Sequence, residues 1–475
     1  MAASGSGGAG RGESGPSRPA AHALFGTDGI RDRANRGALT PENLVRLGRI
    51  LAHVLTGAGA AGAAPRVALA RDTRRSGPMI RDAFAAGLLA GGADLLDAGV
   101  FTTPALATIL PRVGAALGVV VSASHNPAED NGIKLLGPDG EKVPVEIEKA
   151  VEGLYAAGGV PPREGPPGRS TEVAAARRVY EDALAGGRFG GLRLDGMTIA
   201  LDAANGAAHA LGPALFRRFG AKAVARLSCR PDGDNINADC GALHPEKAAR
   251  AAKRRGADLA VALDGDGDRA IFGDSAGAVH DGDTVLWMAA KAMREGALGR
   301  SKQKDLVVGT VMSNGGLEFA LERIGVRLHR APVGDRNVLA AMRDSGAAVG
   351  GEPSGHVIFD DGGPLIGDGL VTALKVAEWM RRASASLATL AHGFERFAQV
   401  TLNVRVAGRP EVESVPALRD GLAAARRDLG EGARILLRYS GTEPLLRVMV
   451  EGKEAAAVRA AAEALAAAAR RALSG

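Results

Sequence analysis

Cysteine is nearly absent: Cys229 and Cys240 are the only two in 475 residues. So few thiols in so long a chain exclude a disulfide-stapled scaffold, and a reducing cytoplasmic setting is the expectation. Aromatic residues make up only 3% of a chain that is 46% hydrophobic. Ala, Val and Leu must therefore fill its cores. No apolar run reaches the roughly 20 residues that cross a bilayer. The opening stretch, MAASGSGGAGRGESGPSRPA, has no apolar segment of the kind found in secretory signals. Residues 1–22 read as a disordered tail. Gly5, Gly7 and Gly10 match GxGxxG only formally, because no strand precedes them and no helix follows. Walker A and HExxH motifs are missing, and Ser124 does not sit in GxSxG. P-loop nucleotide hydrolysis and zincin chemistry have no support.

The formal charge is +6. The densest basic cluster is Lys247, Arg250, Lys253, Arg254 and Arg255, on an expected helix with no interleaved aromatics. It reads as a solvated face rather than a nucleic-acid site. Dispersed arginines instead raise the potential around small anionic substrates.

The most informative stretch is LGVVVSASHNPAEDNGIKLL, residues 117–136. Leu117–Val121 reads as a buried strand, and the polar burst from Ser122 to Pro127 as the loop at its carboxyl end. In open α/β sheets that edge binds ligands. Ser124, flanked by His125 and followed by Lys134, is a candidate nucleophile or phosphate carrier, with Ser122 as its rival. The same strand–loop–helix grammar recurs at Arg66–Ala70, Met197–Leu201, Ala257–Leu263 and Leu306–Val311. It predicts three α/β domains with mainly parallel sheets. After about residue 394 the pattern becomes α+β, with strands expected at Val400–Val406, Ala433–Leu437 and Leu446–Glu451 and a long helix at Glu454–Leu473. The expected domains are 23–175, 176–276, 277–393 and 394–475.

Five further segments carry chemistry. ALDGDGDR, residues 262–269, alternates Asp264, Asp266 and Asp268 with glycine straight after a strand and ends in Arg269. Carboxylates this close repel unless a cation lies between them, and their oxygens suit Mg²⁺. A plain Asp-Gly turn is the competing reading. An EF-hand fails, because Arg269 and Ser275 stand where Gly and Glu are needed. RYSGTEP, residues 438–444, with Arg447 beyond, offers hydroxyls, backbone N–H groups and guanidinium to a phosphate, or forms an ordinary hairpin turn. GGEPSGH, residues 350–356, presents Glu352, Ser354 and His356 on a loop that could grip sugar hydroxyls, or be a capped turn with a solvent histidine. FGTDGIR and ARDTRRSG, residues 25–31 and 70–77, supply Arg31, Arg71 and Arg74, which could reach phosphate. Taken singly, each reads as a surface salt-bridge arginine.

In combination, and in their order along the chain, these segments and the Ser124 loop resemble the α-D-phosphohexomutase family from about Leu24 to Gly452. FGTDGIR, SASHNP, TVMSN at 310–314 and RxSGTEP point to its amino-sugar branch. The resemblance implies four domains around a central cleft, the last like the TATA-binding protein. It implies conversion of glucosamine 6-phosphate to glucosamine 1-phosphate for amino-sugar nucleotide and cell-wall synthesis, with glucose and mannose phosphates as the alternative substrates. Ser124 would be the phosphoserine, and a sugar 1,6-bisphosphate the intermediate and activator. The implied catalytic set is Ser124, His125, Lys134, Arg269 and His356. Mg²⁺ would be held by Ser124, Asp264, Asp266 and Asp268. Arg31, Glu352, Ser354, Arg438, Ser440, Gly441, Thr442 and Arg447 would bind substrate. The implied partner is a small phosphosugar, with neither nucleic acid nor membrane, and the chain would act as a monomer or a homodimer. Pro353 departs from the family's Gln or Met, which alters the sugar loop if the lost N–H normally bonds.

Overall fold

The computed structural model describes residues 24–26, 28–57, 64–296, 305–430, 432–440 and 445–473. The expected disordered tail at 1–22 lies outside them. Four sheets follow one another along the chain. The first has six strands in the order Ile30–Arg33, Asp130–Leu136, Leu117–Val121, Arg66–Arg71, Asp94–Val100 and Ser170–Glu172. The last four of these are joined by parallel ladders and the first two by antiparallel ones. The second sheet runs Val279–His280, Ala270–Gly273, Leu259–Leu263, Thr198–Asp202 and Ala223–Leu227, with a parallel core of the last three. Its edge strand at Val279–His280 carries the second unit past the expected boundary at 276. The third sheet runs Arg327–Ala331, Leu306–Thr310, Val349–Gly351 and Val357–Phe359, again parallel except at the last ladder. The fourth is wholly antiparallel, with Leu445–Gly452 between Ala398–Arg405 and Arg434–Tyr439 and the helix Ala455–Leu473 against it. The fold is thus three mixed, mainly parallel α/β units and a small α+β unit, as expected.

Strands buried on both faces read as unbroken apolar runs, whereas a half-exposed sheet alternates. Leu117–Val121 and Leu259–Leu263 are buried throughout, and Ala398–Arg405 alternates between exposed and half-buried positions. One apolar cluster runs through the first three units, from Ala68 to Leu387, while the fourth keeps its own around Val404, Leu446 and Leu465. Small residues do much of this packing. On the helix Pro245–Arg255, four alanines are buried while Lys247, Arg250, Lys253, Arg254 and Arg255 face solvent.

The helix that follows the strand Ser170–Glu172 is short. It spans Ala176–Ala183 and then widens into a π-turn at Leu184–Arg188. The paired glycines Gly186 and Gly187 favour neither helix nor strand, which accounts for the break.

Parallel strands place their carboxyl ends on one edge. The loops after Arg66–Arg71 and Leu117–Val121 therefore lie side by side, and the loops after Thr198–Asp202 and Leu259–Leu263 do the same in the second unit. The fourth unit is anchored to the third at Asn314. Its side chain accepts from Phe397 N at 2.9 Å and donates to Phe397 O at 3.1 Å and Glu451 Oε2 at 3.3 Å.

Candidate active site

Ser124 is 2% exposed and has φ 50°, a left-handed conformation that a serine adopts at a cost. Arg74 holds the turn. Its guanidinium donates to the carbonyls of Ser124 at 3.0 Å, Asn126 at 2.9 Å, Asp130 at 2.9 Å and Pro127, and pairs with Asp72 at 2.9 Å. Arg74 is fully buried, so its reading as a surface arginine is corrected. A guanidinium with five donors can satisfy a turn full of carbonyls, and that need draws it inside. Ser122 is also fully buried. Its Oγ donates to Asp72 Oδ2 at 2.6 Å and accepts from Ser124 N at 2.9 Å, so both its roles are taken within the turn.

Across the domain boundary, Ser124 Oγ donates to Asp264 Oδ2 at 2.7 Å. Asp264, Asp266 and Asp268 bring one carboxylate oxygen each within 4.8 Å of one another, and all three are buried. Burial, reinforced by Asp268 and Asp266, pushes the Asp264 carboxyl well above the usual range. Oδ1 of Asp266 and Oδ1 of Asp268 are buried without a hydrogen-bond partner among the described residues. Orphaned hard oxygens around one point, beside a serine hydroxyl, fit a divalent cation such as Mg²⁺.

Lys134 lies on the return strand, paired with Val120. Its Nζ is 2.9 Å from Asp266, 3.1 Å from Asp28 and 3.5 Å from Asp268. Burial alone would lower its pKa, but Asp266, Asp28 and Asp268 outweigh that and hold it above the ordinary lysine value. Lys134 is therefore a stored proton. Asp28 reaches it because Gly29, at φ 85°, lies where a Cβ would come within 2.3 Å of Ile133 O. His125 Nδ1 is 3.3 Å from Ser124 Oγ. Burial and the Arg269 guanidinium push its pKa down to about 4, so its ring is neutral near pH 7. Asp268 and Asp264 keep the charge of buried Arg269 in place.

The third unit closes the far wall. His356 is 4% exposed rather than solvent-facing, and it shares a small pocket with Asp28, Lys134, Lys142, Asp268 and Asp335. Glu352 accepts from Gly334 N at 3.0 Å, and Ser354 is exposed at the tip of the loop. Gly355 N donates to Glu352 O at 3.0 Å, which makes Pro353 the second residue of a β-turn. That position suits proline and leaves its missing N–H without consequence. A larger cleft is lined by Arg112, Glu141, Arg188 and Asp361, and Arg188 and Asp361 pair with each other there at 2.6 Å.

Four family models match this chain, one for each unit of phosphoglucomutase/phosphomannomutase. Domain I covers residues 22–159, domain II 180–277, domain III 281–397 and the C-terminal domain 402–468. The chain belongs to the phosphoglucomutase/phosphomannomutase family. A protein of Syntrophomonas wolfei named phosphoglucosamine mutase is 43% identical over 91% of this chain and 95% of its own. One of the same name from Anaeromyxobacter dehalogenans is 41% identical over 95% of this chain and 100% of its own. A crystal structure of a phosphoglucomutase/phosphomannomutase family protein from Burkholderia thailandensis superposes with a TM-score of 0.75 at 24% identity, covering 95% of this chain and 97% of that one.

The remaining residues expected of the phosphoglucomutase/phosphomannomutase family are placed as follows. Arg31 is half-buried and pairs with Asp28 at 2.5 Å. Arg438 and Arg447 are exposed and face each other across antiparallel strands, with Ser440 buried at the end of the first. Gly441 and Thr442 lie outside the described residues. Several site residues escaped the sequence reading. Lys142 joins Asp28 at 2.9 Å to Asp335 at 2.6 Å, tying the first unit to the third. Arg336 adds a two-pronged pair with Glu148. Thr103 Oγ1 donates to Asp266 Oδ2 at 2.6 Å. Asp28 stands inside FGTDGIR, and Asp335 follows the strand Arg327–Ala331 at its carboxyl edge. Those two positions were open to sequence reasoning.

Proposed function

We propose that this chain interconverts glucosamine 6-phosphate and glucosamine 1-phosphate, with Ser124 carrying the phosphoryl group. The observation behind this reading is the 2.7 Å approach of Ser124 Oγ to Asp264, on a strained turn facing a buried carboxylate triad. The names of relatives 41–43% identical to the chain supply the amino sugar.

Phosphorylated Ser124 gives its phosphoryl group to the sugar's 1-hydroxyl. The P–Oγ bond breaks, a P–O1 bond forms, and the hydroxyl proton passes by way of a base to the departing Ser124 Oγ. His356, buried with an unpartnered Nδ1, is the neighbour suited to take it. The bisphosphate then turns over and its 6-phosphate returns to Ser124. A P–Oγ bond forms as the P–O6 bond breaks; Lys134, held protonated by its three carboxylates, delivers a proton to the departing oxygen and regains the one that Ser124 Oγ releases. Asp264, Asp266 and Asp268, with Ser124 beside them, would hold Mg²⁺, which supplies charge neutralisation to the transferring group. Arg438, Ser440 and Arg447, with the Gly441–Thr442 segment, would hold the phosphate that is not reacting, Glu352 and Ser354 the sugar, and Arg31, paired with Asp28 beside Lys134, would bind substrate at the reacting end. The free, buried Cys229 and Cys240 suit a cytoplasmic protein. Among the described residues no helix is long and apolar enough to cross a membrane.

The test is a mutase assay on Ser124-phosphorylated protein with Mg²⁺, comparing glucosamine, glucose and mannose 6-phosphates. A large preference for glucosamine 6-phosphate is expected. A preference for either neutral sugar would overturn the substrate and leave the phosphoserine chemistry.

A further inference from the structure

The turn that carries Ser124 is gripped from two domains at the same two atoms. Arg74 Nη2 donates to Ser124 O and Asn126 O from within the first unit. Asn237 Nδ2, from the loop after Ala223–Leu227 in the second unit, donates to Ser124 O at 2.9 Å and Asn126 O at 3.1 Å. Each carbonyl has two acceptor positions, and both are filled.

Asn237 is itself built into place. It is 8% exposed, with φ 58°, a region asparagine tolerates better than most residues. Its N–H donates to Ala204 O at 2.9 Å. The residues on either side of Arg74 fasten the second unit alongside: Thr73 Oγ1 donates to Asn205 O at 2.6 Å and Arg75 N to Gly233 O at 2.9 Å. The carboxylate loop passes against the same spot. A Cβ at Gly265 would lie 2.5 Å from Ser124 O and 3.0 Å from Asn237 Nδ2.

We propose that Asn237 is a positioning residue. Its carboxamide locks the left-handed Ser124 turn against the Asp264–Asp268 loop, so that Oγ keeps its place while the phosphoryl group comes and goes. The proposal rests on Ser124 as the phosphoryl carrier. Without the second grip, the strained turn can relax toward extended backbone and carry Oγ away from Asp264.

Two substitutions separate the side chain from the backbone. Asn237→Gly keeps the left-handed conformation and removes the donor. Asn237→Asp keeps the shape and sets an acceptor against two carbonyls. The full chain is phosphorylated with glucose 1,6-bisphosphate in Mg²⁺. Three quantities are then measured: kcat and KM for glucosamine 6-phosphate, the rate at which phosphate is lost from Ser124 to water, and Tm. The expected result in both variants is a kcat reduced at least about tenfold, the scale of a sub-ångström to ångström misplacement of a reacting group. KM should be within about twofold of the parent, and the phosphoserine more labile to water. A parental kcat and phosphoserine lifetime in either folded variant overturns the proposal, as does a rise in KM at parental kcat. Should Asn237→Asp fail to fold, Asn237→Gly decides alone. Failure of the unsubstituted protein to take phosphate on Ser124 would instead overturn the carrier reading, so the two failures are distinguishable.

Discussion

Ser124 Oγ lies 2.7 Å from Asp264 Oδ2, although the two residues belong to different sheets and stand 140 positions apart. The carrier and the carboxylate loop are thus assembled only when the first two units dock. Asp264→Asn keeps the shape and replaces a titrating carboxyl of the crowded triad by a neutral amide that cannot give up a proton to a cation. It is expected to lower mutase activity by about 100-fold or more, the order seen when a positioned electrostatic group is lost. Without divalent cation its Tm should be close to the parent's, because a neutral amide replaces a carboxyl that burial and its two neighbours already favour in the neutral form. Steady-state rates and thermal melts with and without Mg²⁺ check both.

Cation binding should depend on pH. Burial and its two neighbours raise the Asp264 carboxyl above the ordinary 3.8. A cation entering the triad must displace the proton it holds, so apparent Mg²⁺ affinity should rise with pH through that raised value. Calorimetric titration in buffers of different ionisation enthalpy should reveal proton release on binding.

Lys134 touches three carboxylates in a buried site. Lys134→Gln is expected to reduce kcat by about 10²–10⁴-fold as a proton donor is lost. It should also destabilise the protein by roughly 3–5 kcal/mol, since the buried charges lose their partner. Denaturant unfolding measures the second effect independently of turnover.

Asp283 is buried and accepts from Asn314 N at 2.8 Å. Burial and Asp281 push it up to about 7, from an ordinary 3.8. The folded state then binds more protons than the unfolded one between those values, so this group's contribution to stability falls as pH rises through that window. Asp283→Asn preserves the acceptor and should flatten the slope of stability against pH between about 4 and 7, as followed by urea unfolding at several pH values.

Pro353 occupies the second position of the turn from Glu352 to Gly355. Pro353→Gln should leave the sugar preference unchanged and cost at most about 1 kcal/mol, through greater freedom of the unfolded chain. A changed ratio of glucosamine to glucose phosphate turnover would show that the ring itself shapes the sugar site.

Much of this was legible in the sequence because the chemistry is local. The carboxylate triad spans five residues on one turn, and Leu117–Val121 has the bounds its apolar run suggests. Contacts between units were not legible. Nothing in the spacing of Asn237 or Lys142 says that one reaches the Ser124 turn and the other joins Asp28 to Asp335. Arg74 misled for a related reason. A charged residue in a polar loop is usually exposed, and only the ring of carbonyls around it explains its burial. The π-turn at Leu184–Arg188 was not legible either, because the Gly186–Gly187 pair marks a break in the helix and not the form it takes.

The most direct test of the central claim is a single-turnover experiment with isotopically labelled phosphate on the enzyme and glucosamine 6-phosphate in Mg²⁺. Label should leave Ser124, pass into glucosamine 1,6-bisphosphate, and appear in glucosamine 1-phosphate without release to water. Label found on Ser122, or lost as free phosphate at the rate the enzyme is discharged, would contradict it.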